Sequence, residues 1–549
     1  MNTFLKVGVV LSVGIIASTG WAAKGPMKNQ MRSVNPASFN LESPEDGYRY
    51  MTDEQFTALK KSAPSKSLDR QPTAKTDFID PSVKFTPQYL NLQAKLIGGP
   101  IYDVKTRQKT GQNEPGVKTA DELALLIKAA DDDAMYEQLP IDAKFIAASL
   151  ATMKPYRGLA FRARPLFSTS KLVHAYMISG MRLAATGINV FMPTPQWKAG
   201  FKYFSEPSAT KYRTLTADQL KSAPQNAEER TATFISDELT FFHFVNFEVL
   251  PTMNKYAMRL QALVETSEQK GFKPFYFDNQ LVISTANFAD DHDRLVRIAE
   301  PELRMALASV LGSRSGMYAS LAYSWKGLFA AVEGMGRNVG FQTLFNVDLT
   351  TAKQRNKQLA QPGLFVLQSP KKMGRAYDDL KEAARQTQLA WDAVKGDHSV
   401  PAANQIAPLL DPRVLTPFTR QIDAGVANVN SLFEVRPGTL GSAVVQGEAV
   451  QVDLYKFFHG ETIPKDLKAF MPTGYVAGPR EFTDTPLALT AGAPIRNYLE
   501  GSPEHWNIPV YQTYFPNVQS DQDVIKAARV LSQAWGGWVI GFPFAAMVL

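Results

Sequence analysis

The chain predicts a mainly α fold, α-rich α+β, in which a multi-helix domain precedes a smaller, loop-rich mixed C-terminal unit. Three observations carry this: capping-box pairs recur ahead of apolar residues, apolar runs at helical spacing are long and numerous, and strand-like segments are few and short. The expected division is a signal peptide over 1–23, an extended N-terminal segment over 24–80, a helical domain over 81–365 and a helical and loop-rich mixed C-terminal domain over 366–549.

Residues 1–6 carry one positive charge, 7–16 form an uncharged apolar run, and 17–23 are mostly small, which is the order of a cleavable export signal. The apolar run is half of the roughly 20 residues that a bilayer-spanning helix needs. Cleavage is therefore expected after Ala22 or Ala23, leaving a mature protein that is periplasmic or secreted. Residues 24–80 are rich in Pro, Ser, Asn and charge, with apolar positions too scattered to define a buried face. One short helix is expected there, where Thr52 and Gln55 form a capping box ahead of Phe56 and Leu59.

Further starts are Thr86 before Pro87, Thr119 with Glu122, and Thr216 with Gln219. Apolar periodicity predicts helices over 141–153, 170–186, 227–269, 290–312, 317–336 and 371–394. Pro251 and Pro301 should kink the two that contain them, because proline lacks a donor and clashes one turn back. Strands are expected over 188–192, 275–284, 363–368, 443–457 and 510–515, with the partial alternation around Gly447 suggesting a hairpin or a bulge. Residues 530–549 hold no charge, but Gly536, Gly537, Gly541 and Pro543 break the run. Docking into the core satisfies such a backbone better than lipid does, with membrane contact as the weaker alternative.

Composition excludes several function classes. The 549 residues contain no cysteine, which rules out disulfides, thiol nucleophiles, thiolate-held zinc, iron–sulfur clusters and c-type haem attachment. Removing Lys6 with the leader takes Lys plus Arg from 59 to 58, against 52 Asp plus Glu, and the signs are mixed along the chain. That mild surplus is unlike the concentrated basic face of a nucleic-acid binder, so no nucleic-acid partner is expected. No P-loop or dinucleotide fingerprint occurs, and Gly312-Ser313-Arg314-Ser315-Gly316 puts arginine where an α/β-hydrolase elbow needs serine.

Three clusters have residue types capable of chemistry. Asp290, Asp291, His292 and Asp293 can hold a hard cation through Asp290, His292 and Asp293, or let Asp291 orient His292 as a base. Their plainer role is to stabilise a helix start, with Asp290 paired to Arg294. Glu238 and His243 lie among aromatic residues and form a second catalytic candidate, against the simpler reading of a satisfied polar pair in a helical core. Arg157, Arg162 and Arg164 form the third. If 159–164 were extended, Arg162 and Arg164 would share a side and could grip a carboxylate or phosphate.

No cofactor is specified by these residues. The expectation is a binding or structural envelope component whose partner is another envelope or secreted component. The alternative is an exported hydrolase or metal-dependent enzyme using the Asp, Glu and His clusters.

Overall fold

The computed structural model describes residues 47–62, 85–167, 197–216, 218–221, 232–278, 295–326, 363–395, 419–473, 475–479, 500–503 and 505–534, with the single positions 281, 410 and 415. Among them the protein is mainly α, and its strands form only two-stranded antiparallel sheets. The expected signal peptide, the helix over 170–186 and the strand over 188–192 lie outside the described residues.

The first described segment has no regular structure up to Met51 and then enters α1 (Asp53–Ser62). Thr52 Oγ1 accepts from the Gln55 N–H at 3.2 Å while Gln55 Oε1 accepts from the Thr52 N–H at 2.9 Å, the reciprocal cap that the sequence predicts. In α2 (Pro87–Ile97) Thr86 caps Tyr89 and Pro87 occupies the first turn. The hairpin of β1 (Gly99–Tyr102) and β2 (Lys109–Glu114) leads to α3 (Ala120–Asp131), whose Thr119–Glu122 capping box is complete.

The short α4 (Asp133–Glu137) precedes α5 (Ile141–Ala151), which is buried on most of its circumference, as its alanine-rich, evenly apolar sequence requires. Next come α6 (Leu159–Phe167) and α7 (Trp197–Ser205). Thr216 and Gln219 exchange the expected hydrogen bonds, at 3.0 and 3.3 Å, but open only a single 3₁₀ turn.

The helix expected over 227–269 instead begins at α8 (Glu238–Phe244), passes through a π-helical turn at Val245–Val249 and continues as α9 (Leu250–Ser267). Pro251 has no N–H to offer the Phe247 carbonyl, and its ring would press on that carbonyl. The wider turn just upstream is where that misfit is absorbed.

The helix expected over 290–312 is corrected in two respects. Leu295–Ile298 forms β4, paired antiparallel with β3 (Phe275–Asp278), and Pro301 starts a helix where a kink is expected. Leu295, Arg297 and Ile298 are buried, so tertiary pairing overrides the helical pattern, and proline in a first turn gives up a donor that had no partner. The resulting helix, α10 (Glu300–Leu321), runs through Gly312 and Gly316, merging what the sequence divides at that glycine pair.

Beyond it, 363–368 is a turn carrying isolated bridges from Leu367 to Tyr323 and from Val366 to Asp466, not a strand of a sheet. Long α11 (Pro370–Lys395) and α12 (Thr419–Phe433) follow. The hairpin of β5 (Gly441–Val445) and β6 (Glu448–Val452) turns at Gln446 and Gly447, both at positive φ (52° and 83°), where glycine relieves the strain. The strand expected through 457 gives way to α13 (Leu454–Phe458).

A last pair, β7 (Tyr475–Pro479) and β8 (Glu500–Pro503), precedes α14 (Ile508–Gln512) and α15 (Asp521–Ala534). The strand expected over 510–515 is therefore corrected to a helical turn. Pro509 presets its first turn, and buried Tyr511, Tyr514 and Phe515 stand at helical spacing.

Two large apolar clusters form the core. One gathers Tyr89, Leu123, Phe145, Leu260, Phe277 and Leu311, and the other Phe244, Tyr323, Met373, Phe433, Phe457 and Phe515. Helix α10 serves both, giving Leu303, Leu307 and Leu311 to the first and Tyr318 and Leu321 to the second, and α11 packs along it. The second cluster also joins Tyr323 and Phe365 to Met373 and Tyr377, so packing is continuous across positions 365 and 366. Among the described residues no helix is long and apolar enough to cross a membrane. Of the uncharged run over 530–549, the structure describes 530–534, where Val530, Leu531 and Ala534 are buried in the second cluster.

Candidate functional site: a row of buried charges between α10 and α11

Asp290, Asp291, His292 and Asp293 lie outside the described residues. Among those described, no group of three or more His, Asp or Glu residues is placed to hold a metal ion.

Glu238 and His243 both sit on α8 but five residues apart, which puts them on different faces of the helix. His243 is buried with its ring 4.7 Å from that of Phe247, while Glu238 is half-buried. Asp237 is spent on the helix start, where it accepts from the Thr240 N–H at 2.8 Å.

The three arginines do not converge. Segment 159–164 is helical, so Arg162 and Arg164 point away from one another. Arg157 pairs with Asp121 at 2.7 Å, and the exposed Arg164 lies over the rings of Phe161 and Phe234. Arg162 is buried in a forked pair with Glu248 of the π-helical turn, at 2.9 and 2.5 Å. It also donates to the Thr233 carbonyl at 2.9 Å and stands over the Phe244 ring. A guanidinium held on its carboxylate in this way is occupied by a fixed internal anion.

The densest polar feature of the described protein lies elsewhere. On α11, Asp379, Glu382 and Arg385 stand three residues apart and Gln386 four after Glu382, so one helical face carries charge among apolar neighbours. That face meets Arg304 and Arg314 of α10.

Arg314 and Asp379 are both fully buried, joined by Nε to Oδ2 at 2.7 Å and by a second contact from Nη2 to Oδ1. Arg304 reaches Glu300 at 2.8 Å, Gln386 at 2.7 Å and Glu268. Arg385 forks onto Glu434 at 2.6 and 2.9 Å. Glu382 accepts from Gln386 at 2.8 Å.

Burial pushes the Glu382 carboxyl above its ordinary range, opposed by its hydrogen bonds from Gln386 and the Met51 N–H. Burial alone would lower Arg385, and the Glu434 and Asp53 carboxylates more than reverse that, so its charge is secure.

The segment 47–53 closes this row from outside. Tyr50 Oη donates to Asp379 Oδ1 at 2.8 Å and accepts from Arg314 Nη2 at 3.2 Å, and the Tyr48 ring lies 4.6 Å from the Arg314 guanidinium. The Met51 N–H donates to Glu382 at 3.1 Å, while its carbonyl accepts from Arg385 at 2.6 Å. Asp53 pairs with Arg385 and, at 3.4 Å, with Lys381, and the Arg385 hydrogen bond holds its carboxyl below the usual range.

Sequence reasoning overlooked this row because its members are far apart along the chain. The charged stripe on α11 was the signal that could have found it. Chemically the row is a set of buried ion pairs: it fixes helices against each other and presents donors and acceptors to the segment over 47–53.

Comparison with protein-family profiles, with curated proteins and with solved structures gave no match.

Proposed function

We propose that this is an exported, periplasmic or secreted, non-catalytic component of the cell envelope that binds or supports another component through its helical body. The observation that supports the reading is the way the described buried ionic groups engage each other. Buried Glu248 is taken up by Arg162 and buried Asp379 by Arg314, the more exposed Glu434 pairs with buried Arg385, and the His243 ring packs on that of Phe247. A general acid or base needs a proton-transfer partner within reach in a site open to substrate, and enclosed internal pairs serve packing instead.

The test is to produce the chain with its own N-terminus in a bacterial host and to sequence the N-terminus of the product in each fraction. The expected product starts at Ala23 or Lys24 outside the cytosol, and an intact leader in the cytosol would overturn export. Metal analysis of the mature protein separates binding from metalloenzyme. Stoichiometric metal lost on Asp290→Ala, His292→Ala and Asp293→Ala substitution would overturn the non-catalytic reading.

A further inference from the structure

The row between α10 and α11 is covered by the chain's own residues 48–53, and the manner of that cover is informative. Side chains, not a strand edge, pair with the segment's backbone at alternate residues. Gln261 of α9 donates to the Arg49 carbonyl at 2.6 Å and accepts from the Arg49 N–H at 3.5 Å, while Glu382 and Arg385 take the N–H and carbonyl of Met51. Backbone contacts at every second residue are how an extended peptide is held with little dependence on its sequence.

Two side chains then add selectivity: Tyr50 on Arg314 and Asp379, and Asp53, three residues on, at Arg385 and Lys381. The floor keeps internal partners when the segment is set aside. Asp379 retains Arg314, Arg385 retains Glu434 and Glu382 retains Gln386. Lifting the segment therefore leaves no buried charge stripped of its partner, the outcome that makes breaking an ion pair so costly.

The geometry points to a peptide-binding site across α9, α10 and α11, occupied here in cis by residues 48–53. Its partner is an extended peptide carrying a tyrosine with a carboxylate three residues later. This rests on the binding reading of the protein and is independent of export, so cytosolic retention would leave it standing.

The test uses the full mature chain and a variant with Tyr50→Phe and Asp53→Asn, which weakens the cis segment without touching the floor. The probe is a labelled peptide of residues 47–56, and the control is the same peptide with Tyr50→Ala and Asp53→Lys. The variant is expected to bind the probe about tenfold more tightly than the unaltered chain, because its internal competitor has lost charge-assisted contacts. It should bind the control more weakly than the probe. In hydrogen exchange the Met51 amide should open faster in the variant while the amides of α10 and α11 stay protected.

The proposal is overturned if probe and control bind alike, if neither binds, or if exchange rises equally in α10 and α11, which would make 47–53 part of the cooperative core. Concentration-dependent dimerisation of the variant in sedimentation would also overturn it, by assigning the site to the same segment of a second copy.

Discussion

Arg314 and Asp379 are the most deeply buried opposite charges among the described residues, and their value to the protein is conditional on both being present. Each was removed from water at a cost that the other offsets, Tyr50 adding one hydrogen bond to each. Arg314→Met and Asp379→Leu singly should each lower stability by about 3–5 kcal/mol, because each strands a buried charge. The double substitution should cost less than either single one, and urea unfolding of the four proteins checks it; additive losses would refute the coupling.

Glu382 belongs to the same row but titrates the other way from Asp53, Asp131 and Asp133. Its folded value lies above the ordinary 4.5, so between the two the native state holds more protons than the unfolded chain, and stability falls as pH rises through that window. Asp53, Asp131 and Asp133 lie below 3.8 in the folded protein, so their contributions are lost instead as pH falls through their lowered values. Glu382→Gln should flatten the stability–pH curve just above 4.5 and leave the acid limb unchanged, as measured by urea midpoints across the range.

Elements with local chemistry were legible in the sequence, and those fixed by distant partners were not. Thr52, Thr86 and Thr119 each announce a helix start through a cap onto the backbone three residues on, and all three caps form. The turn at Gln446 and Gly447 is likewise set by its own residues. Leu295–Ile298 reads as helix because only its pairing with Phe275–Asp278, some 20 residues away, makes it a strand. The candidate site was hidden for the same reason, since Tyr50 and Asp379 are 329 positions apart.

Close approach between elements can be tested at Gly441, where β5 crosses the end of α12. A Cβ there would stand 2.9 Å from Leu432 Cα and 3.0 Å from the Ser431 carbonyl oxygen, both backbone atoms that cannot rotate away. Gly441→Ala is expected to destabilise the protein by about 1–3 kcal/mol through this overpacking, and thermal unfolding checks it. Gly447→Ala, with open space but positive φ, should cost less, about 1 kcal/mol.

At the scale of the whole molecule the question is whether the two apolar clusters unfold together. A chain of 549 residues ordinarily divides into units that can melt separately. Here α10 lies in both clusters, with Leu311 in the first and Tyr318 in the second only two turns apart, and the Arg314–Asp379 pair sits between them against α11. Opening one cluster would require fraying a 22-residue helix across that pair, which strands the buried charges of α10. Of the described buried tryptophans, Trp325 and Trp506 belong to the second cluster and Trp391 to a small one between α11 and α12, so their indole fluorescence reports on packing outside the first cluster, in which Leu311 is fully enclosed. Leu311→Ala should remove about 2–5 kcal/mol from the first cluster. Coupled clusters would transmit that loss, so fluorescence and far-ultraviolet circular dichroism should shift to the same lower denaturant midpoint. A fluorescence midpoint that stays put while the dichroism transition splits would show that α10 does not couple the two.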